Sequence, residues 1–290
     1  MKKEGKKDQR IILSLIQHAY QGSVEESVSF IEEQIKKAKK NGAQIVCLQE
    51  LFSTEYFCRT FSQAFFSLAR TERGAFLSRF SSLAAKLKLV LIVPFFEKKM
   101  EGVYYNSAAV IDDDGALKGI YRKIHIPDDP GFYEKYYFTP GDSGYAVFAT
   151  SHGKIAVLIC WDQWFPEAAR AVSLMGADII FYPTAIGTVK GEKRLEKKYK
   201  DAWKTMQRSS AIANGVFVAS VNRTGTEGNI DFWGSSFVCG PMGEMLTKDP
   251  GRNQVIVSCE ISLDAIKETR LTWPFFRDRR VDTYEGLLKK

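Results

Sequence analysis

The chain has 290 residues, of which 45% are hydrophobic, and this length and composition permit one large buried core. We therefore predict a single domain over residues 1–290, with residues 1–9 as a flexible tail. The net charge is +7, but much of it lies in the first seven positions and in two runs, 36–40 and 190–200. Charge runs of this kind are typical of solvated surface, which argues against a nucleic-acid partner.

Targeting and redox signals are sparse in the sequence. No stretch of about 18 apolar residues is present, and the N-terminus lacks the apolar segment of a signal peptide, so we expect a cytoplasmic protein without membrane contacts. The five cysteines are an odd, scattered set that does not form a disulfide framework. The three histidines show no ligand-like spacing, and we therefore expect no metal.

Hydrophobic periodicity predicts alternating strands and helices in the first half of the chain. Residues 10–17 form a short apolar run typical of a buried strand. The helix predicted after Ser23 has early acids, late bases and a stop at Asn41 and Gly42. Further elements are predicted as strands at 43–50, 89–99, 104–112 and 116–123, and as a helix at 74–88.

The second half repeats this pattern. It predicts strands at 153–160, 177–184, 216–223, 235–246 and 253–261, and helices at 166–176 and 196–214. Most strands are apolar on both faces, which favours an α/β fold with two packed sheets and helices outside, a four-layer α-β-β-α sandwich. The alternative is a doubly wound single sheet, but no Gly-rich phosphate fingerprint follows the first strand. Residues 124–144 form a long aromatic loop, and loops of this length are often functional.

Three side chains of types that take part in catalysis lie at the ends of predicted strands. Cys160 occupies a strand-to-helix turn, where free backbone N–H groups lower a thiol pKa and bind an oxyanion; the alternative is an inert core cysteine. Glu50 is either a helix cap or a base in a partly dry site. Lys123 is either a surface lysine or a cation beside an oxyanion, and Arg122 is the alternative inward residue.

Six segments in a fixed order resemble the nitrilase superfamily of carbon-nitrogen hydrolases. They are LQELF (48–52), YRKIHIPD (121–128), YFTPGD (137–142), CWDQWFPEAAR (160–170), YPTAIG (182–187) and FRDRRVDTY (276–284). The resemblance covers nearly the whole chain and is closest to the branch that hydrolyses N-carbamoylputrescine. It implies an α-β-β-α sandwich whose subunits pair, and chemistry that needs no cofactor.

The resemblance also implies which residues are catalytic. The catalytic glutamate, lysine and cysteine of the superfamily fall on Glu50, Lys123 and Cys160, and Glu134 would orient the lysine or contact substrate. Glu50 would take the proton of the thiol, which then attacks the carbamoyl carbon, while Lys123 and a backbone N–H near Trp161 stabilise the oxyanion. Ammonia leaves, and water hydrolyses the thiocarbamate to carbon dioxide and an amine.

The residues around Cys160 favour a cationic substrate. The stretch 161–164 contains no cation, whereas the resembling branch that acts on carbamoyl-D-amino acids has arginines there. Aromatic and acidic side chains suit an ammonium group through cation–π and charge attraction. The residues concerned, with Thr184 as a further supporting residue, are Trp161, Trp164, Tyr133, Asp162 and Glu134.

Other interpretations remain open at this stage. The tryptophans are core packing in one alternative, and in another a distal Arg223 enters the pocket. An Arg223 in the pocket would favour a carbamoyl-D-amino-acid hydrolase or a β-ureidopropionase. An inert, nitrilase-like binding protein is a hypothesis of a different class, and it is disfavoured because all three catalytic positions are retained.

The C-terminal segment, residues 271–290, is too apolar and aromatic for a free tail. We expect it to pack on a neighbouring subunit, with residues 164–176 as the other contact. The predicted assembly is a homo-oligomer of at least two subunits.

Overall fold

The computed structural model describes residues 10–289, so the predicted tail, residues 1–9, lies outside the described part. Its strands and helices are numbered in chain order. The first sheet contains β1 Arg10–Gln17, β2 Ile45–Leu48, β3 Val90–Met100, β4 Val103–Ile111, β5 Leu117–Arg122 and β14 Val255–Ser262. Their order is β14-β1-β2-β3-β4-β5, and the central strands β1, β2 and β3 are parallel.

The second sheet contains β6 Val147–Thr150, β7 Gly153–Val157, β8 Ile179–Thr184, β10 Phe217–Asn222 and β13 Phe237–Cys239. It runs in the order β13-β10-β8-β7-β6, with β7, β8 and β10 parallel. A small third sheet of order β11-β12-β9 joins β9 Gly187–Val189, β11 Thr224–Glu227 and β12 Ile230–Trp233.

Five α-helices accompany the sheets in the described residues: α1 Val24–Lys40, α2 Ala75–Leu87, α3 Pro166–Leu174, α4 Glu196–Asn214 and α5 Asp264–Thr272. The side chain of Ser23 caps α1 by accepting from the N–H of Glu26, as its predicted start requires. Pro166 occupies the first turn of α3, where a missing N–H costs nothing. Within residues 10–289, no helix combines the length and the apolar character that crossing a membrane demands.

The strands divide their side chains between two apolar clusters. In β2, Ile45 and Cys47 join the cluster that also contains residues of β7 and β8, whereas Val46 and Leu48 join residues of α1 and α2. This alternation follows from the twofold period of a strand. With α3 and α4 covering the second sheet, the result is the predicted α-β-β-α sandwich of the α/β class, and the single-sheet alternative is wrong.

Two predicted strands end earlier than the sequence indicated. The strands at 43–50 and 153–160 stop at Leu48 and Val157, so Glu50 and Cys160 lie in the turns beyond them. Cys160 itself has a φ of 44°, and Leu51 has a φ of 49°. This left-handed region is costly for residues other than glycine, and such strain is concentrated at functional sites.

Other differences concern short elements. The predicted strand at 235–246 is extended only over Phe237–Cys239 and then turns back through Gly240 and Gly243. The sequence pattern did not predict β6, the small third sheet or α5. These elements span nine residues or fewer, too short for a clear hydrophobic period.

A buried carboxylate, Asp162, connects the two sheets beside the candidate residues. Its Oδ2 accepts from the Tyr121 hydroxyl at 2.8 Å and from the backbone N–H of Ile159 at 2.9 Å. Its Oδ1 accepts from the backbone N–H of His125 at 3.0 Å and lies 2.7 Å from Nδ1 of the same residue. Because Tyr121 and His125 flank Lys123, Asp162 fixes the lysine segment relative to the turn after Ile159.

We predict that Asp162→Ala lowers the free energy of unfolding by about 3 kcal/mol or more, since it leaves several buried donors unpaired. Urea denaturation of the purified variant measures the change. The exposed Asp128 provides a matched control, and Asp128→Ala is expected to stay within about 0.5 kcal/mol of the parent. An equally small change for Asp162→Ala would contradict the connecting role.

Candidate active site

Lys123 lies at the centre of a buried cluster of charged and polar side chains. Its Nζ is 2.8 Å from Oε1 of Glu50 and 2.6 Å from Oε2 of Glu134, and all three side chains are at most 1% exposed. Asn106 donates through Nδ2 to Oε1 of Glu50 at 2.7 Å, and the Tyr56 hydroxyl donates to Oε1 of Glu134 at 2.9 Å. The lysine is therefore shared by two carboxylates, each oriented by a neutral donor.

The electrostatics of this cluster keep the lysine charged. Burial by itself lowers the pKa of Lys123, but the carboxylates of Glu134 and Glu50 outweigh it and raise that pKa well above its ordinary value. Burial raises the pKa of Glu134 to about 7, against the opposing effect of the Lys123 ammonium. Among the described residues, Oε2 of Glu50 is buried and has no hydrogen-bond partner. The cluster thus offers a fixed cation and one carboxylate oxygen that is free to accept a proton.

Cys160 begins a short 3-10 helix that runs to Trp164. Burial raises the pKa of its thiol well above the ordinary value, and the negative charge of Glu50 acts in the same direction. Lys123 and a backbone hydrogen bond from Ala185 lower the pKa and so favour the thiolate. The thiol therefore stays protonated at neutral pH until a base removes its proton.

A cavity of about 540 Å³ opens beside Cys160. Three carboxylates lie on its wall, those of Glu134, Asp129 and Glu192, and none of its lining residues is a lysine, an arginine or a histidine. The remaining wall is largely apolar and aromatic, with Trp161, Trp164, Phe132, Tyr199 and Trp233. A ligand in this cavity meets negative charge and aromatic faces.

The structure brings together six of the nine site residues predicted from the sequence. Glu50, Lys123, Glu134 and Cys160 share one cluster of electrostatic interactions. Trp161 and Trp164 line the cavity, with their rings 6.5 Å apart in an edge arrangement, and Trp164 also packs against the main hydrophobic core.

Three predicted residues belong neither to the cavity wall nor to the charged cluster around Lys123. Tyr133 packs its ring on Phe61 at 4.5 Å, and the Thr184 hydroxyl donates to the carbonyl of Tyr182 at 3.0 Å. Asp162 is buried and uses both carboxylate oxygens in the connection between the sheets. The interpretation of Tyr133 and Asp162 as ammonium-binding groups is therefore corrected.

The two arginines considered from the sequence also lie off the cavity wall. Arg122 pairs with Glu97 at 2.6 Å and with Asp142 at 2.8 Å, so Lys123 and not Arg122 is the inward cation. Arg223 is fully buried but is not a lining residue. A substrate carboxylate would find no cationic side chain on the described wall.

Several residues of the site were missed by the sequence analysis. Asn106 is a buried amide within a largely apolar strand, a signal that was available. Tyr56 and Ala185 gave no signal, because their roles depend on partners distant in sequence. Glu192 lies in the charged run 190–200, which was assigned to solvated surface.

Comparisons with known proteins agree with this geometry. Residues 12–271 match the model of a family described as carbon-nitrogen hydrolase. N-carbamoylputrescine amidase of Arabidopsis thaliana is 41% identical, with 99% of this chain and 98% of the relative covered. Citrullinase of Francisella tularensis is 38% identical, with 97% and 99% covered.

A solved structure extends the agreement to three dimensions. The carbon-nitrogen hydrolase of Helicobacter pylori G27 superimposes with a TM-score of 0.94 at 44% identity, covering 97% of this chain and 99% of that one. The match spans the sheets and helices that carry the cluster around Lys123. The chain therefore belongs to the carbon-nitrogen hydrolase family, within the nitrilase superfamily, and is an enzyme of that class.

Proposed function

We propose that Cys160 is the nucleophile of an amidohydrolase, Glu50 its general base and Lys123 the group that stabilises the oxyanion. The observation that carries this proposal is the Lys123 ammonium, held between Glu50 and Glu134 within electrostatic reach of the Cys160 thiol. Nucleophile, base and electrostatic stabiliser are the parts that acyl transfer requires.

The proposed reaction proceeds in two stages. Oε2 of Glu50 accepts the thiol proton, and the sulfur of Cys160 attacks the carbamoyl carbon. The resulting oxyanion is stabilised by the Lys123 ammonium and by a backbone N–H near Trp161, while the backbone of Ala185 hydrogen-bonds the Cys160 sulfur. As the oxyanion collapses, the carbon–nitrogen bond to the terminal amide breaks, and that nitrogen takes the proton from Glu50 and leaves as ammonia.

The second stage restores the enzyme. Glu50 takes a proton from water, and the hydroxide attacks the thiocarbamate on Cys160. The carbon–sulfur bond then breaks, the thiolate is reprotonated, and the carbamic acid released divides into carbon dioxide and the free amine. We expect these reaction steps to need no cofactor or metal, and this expectation stays a prediction.

We predict that Cys160→Ala lowers kcat by about 10⁴-fold or more, because no other group in the cluster replaces a nucleophile. Ammonia release from the purified variant is the measurement, with urea denaturation showing that it remains folded. Cys259, half-buried in β14, provides the matched control, and Cys259→Ala is expected to retain kcat. Substantial activity in Cys160→Ala would remove the nucleophile assignment.

We further propose that the substrate is N-carbamoylputrescine, whose hydrolysis yields putrescine for polyamine biosynthesis. The support is the wall of the cavity, where Asp129 and Glu192 supply carboxylates and Trp161 and Trp164 supply aromatic faces for an ammonium group. The relatives of Arabidopsis thaliana and Oryza sativa subsp. japonica, 41% and 43% identical, are both N-carbamoylputrescine amidases.

The competing substrates all carry a carboxylate. N-carbamoyl-D-amino acids, N-carbamoyl-β-alanine and citrulline would each place that group beside Glu134, Asp129 and Glu192 without a cation on the wall. Like charges repel, so these compounds are disfavoured. The citrullinase of Francisella tularensis, at 38% identity, keeps citrulline as the second candidate.

We predict that kcat/KM for N-carbamoylputrescine exceeds that for the three carboxylate-bearing compounds by roughly tenfold or more. Parallel assays of ammonia release on the four compounds measure this preference. Equal or faster turnover of citrulline or of an N-carbamoyl-D-amino acid would exclude the proposed substrate without affecting the Cys160 assignment.

In the same assays, Glu192→Gln should raise KM for N-carbamoylputrescine selectively, with Glu268→Gln on the exposed face of α5 as the matched control.

We also propose self-association through the C-terminal segment. In the described part of this segment Trp273 and Leu287 are 51% and 68% exposed, and a cavity of about 650 Å³ separates Phe275 and Tyr284 from α4. Exposed apolar side chains over a loosely filled cavity favour a second copy as the covering partner. A cytoplasmic location and a single domain over residues 1–290 stay predictions.

Light scattering of the purified chain is predicted to give the mass of a dimer or a higher symmetric oligomer at micromolar concentration. Truncation before Trp273 should shift that mass toward the monomer, because it removes the exposed aromatic and apolar side chains. A monomer for the complete chain would contradict self-association.

A further inference from the structure

We propose that Arg223 is a positioning residue that holds both active-site carboxylates in place without contacting either. It acts on Glu50 through the carbonyl of Leu51, and on Glu134 through Glu227 and Tyr56. The inference rests on the proposed function, since it takes Glu50 as the base that ionises the nucleophile.

The guanidinium of Arg223 is fully buried where β10 ends and β11 begins. Its Nη2 donates to the carbonyls of Leu51 at 2.7 Å and Thr54 at 2.8 Å, and its Nη1 pairs with Oε1 of Glu227 at 2.5 Å. The fork of a guanidinium reaches three acceptors at fixed angles, which a lysine ammonium does not reproduce. Arg223 thereby ties the 51–54 turn to the start of β11.

The 51–54 turn is the segment that aims Glu50. Leu51, the next residue, has a φ of 49°, a conformation that persists only where the surroundings enforce it. On the other side of Glu50, the Gln49 side chain forms two hydrogen bonds with the backbone of His18, at 3.0 and 2.9 Å. Glu50 is held through both of its chain neighbours, and Arg223 is the charged group on the strained side.

The second branch of the contact leads to Glu134. Oε2 of Glu227 accepts from the backbone N–H of Tyr56 at 2.6 Å, while its Oε1 is paired with Arg223. The Tyr56 hydroxyl in turn donates to Glu134, the other carboxylate that binds Lys123. One buried ion pair therefore controls the positions of both partners of the lysine.

A role in binding substrate is not supported for Arg223. The residue is not part of the cavity wall, its charge is paired with Glu227, and its Nη2 is used by two backbone carbonyls. Disturbing it should therefore change the chemical step more than substrate affinity, and it should change the ionisation of Cys160 in the absence of substrate.

The test compares Arg223→Lys and Glu227→Gln with the parent, using the complete chain. The thermal unfolding midpoint of each variant is measured first. The kcat and KM for N-carbamoylputrescine are then measured at a temperature well below the lowest of these midpoints. The rate at which iodoacetamide alkylates Cys160 is measured across pH, because it reports removal of the thiol proton without substrate. Arg70→Lys is the matched control, since Arg70 also donates to two backbone carbonyls, both at 3.2 Å, but belongs to neither the cluster nor the cavity wall.

For Arg223→Lys we expect kcat to fall by about ten- to a hundredfold with KM within about threefold, as small displacements of catalytic groups produce. Alkylation of Cys160 should slow at neutral pH, and the difference from the parent should narrow as the pH rises and the thiol depends less on Glu50 to lose its proton. Glu227→Gln keeps an acceptor for Tyr56 and should give a smaller change in the same direction. Arg70→Lys should match the parent in all three measurements.

A folded Arg223→Lys with the parent kcat and the parent alkylation profile would overturn the inference. If Arg223→Lys does not fold, Glu227→Gln is the deciding variant. A Glu227→Gln variant with the parent kcat and the parent alkylation profile would then overturn the inference. Should the parent enzyme fail to hydrolyse N-carbamoylputrescine, the proposed substrate is wrong, but the alkylation profiles of parent and variants still test the role of Arg223.

Discussion

The interaction on which the site depends is the buried pairing of Lys123 with Glu50 and Glu134. A lysine without exposure to solvent keeps its charge only if opposite charges lie within contact distance, and here two carboxylates lie at 2.8 and 2.6 Å. Loss of either carboxylate would leave the cluster with altered charge in a dry interior. Neutral donors from Asn106 and Tyr56 orient the carboxylates further.

The sandwich explains how these groups meet. Glu50 and Lys123 follow β2 and β5 of the first sheet, whereas Cys160 and Ala185 follow β7 and β8 of the second. Packing the sheets face to face brings the ends of these strands together, and Asp162 fixes the relative position of the two halves. The chemistry thus lies at the junction of two rigid layers, which suits acyl transfer because attacking and stabilising groups must stay aligned.

Much of this arrangement could be predicted from the sequence. Apolar strands and amphipathic helices gave the α/β class and the four layers, and the segments around Glu50, Lys123 and Cys160 gave the family and the three candidate catalytic positions. The exposure of the site side chains and the partners of their hydrogen bonds could not be predicted, because both depend on residues distant in sequence. Asp162 follows the nucleophile closely, yet it points into the protein and not into the cavity.

The dependence on residues distant in sequence also explains why Glu192 was assigned to the surface and why Arg223 was considered for the pocket. Glu192 belongs to a run of surface charges, and only the fold shows that it lines the cavity. Arg223 looked like a cation for a substrate carboxylate, and only its contacts with Leu51, Thr54 and Glu227 show that it is engaged elsewhere. In both cases the residue type was a sound guide to chemistry, while the location required the structure.

The proposed reaction requires that hydrolysis pass through a covalent adduct on Cys160. Rapid mixing of the enzyme with N-carbamoylputrescine, followed by acid quench, digestion and mass spectrometry, tests it directly. We expect a thiocarbamate that retains the amine chain on the peptide containing Cys160, and we expect it to form and decay at rates at least as fast as kcat. Complete turnover with an unmodified Cys160 at every time point, or an adduct on another residue, would contradict it.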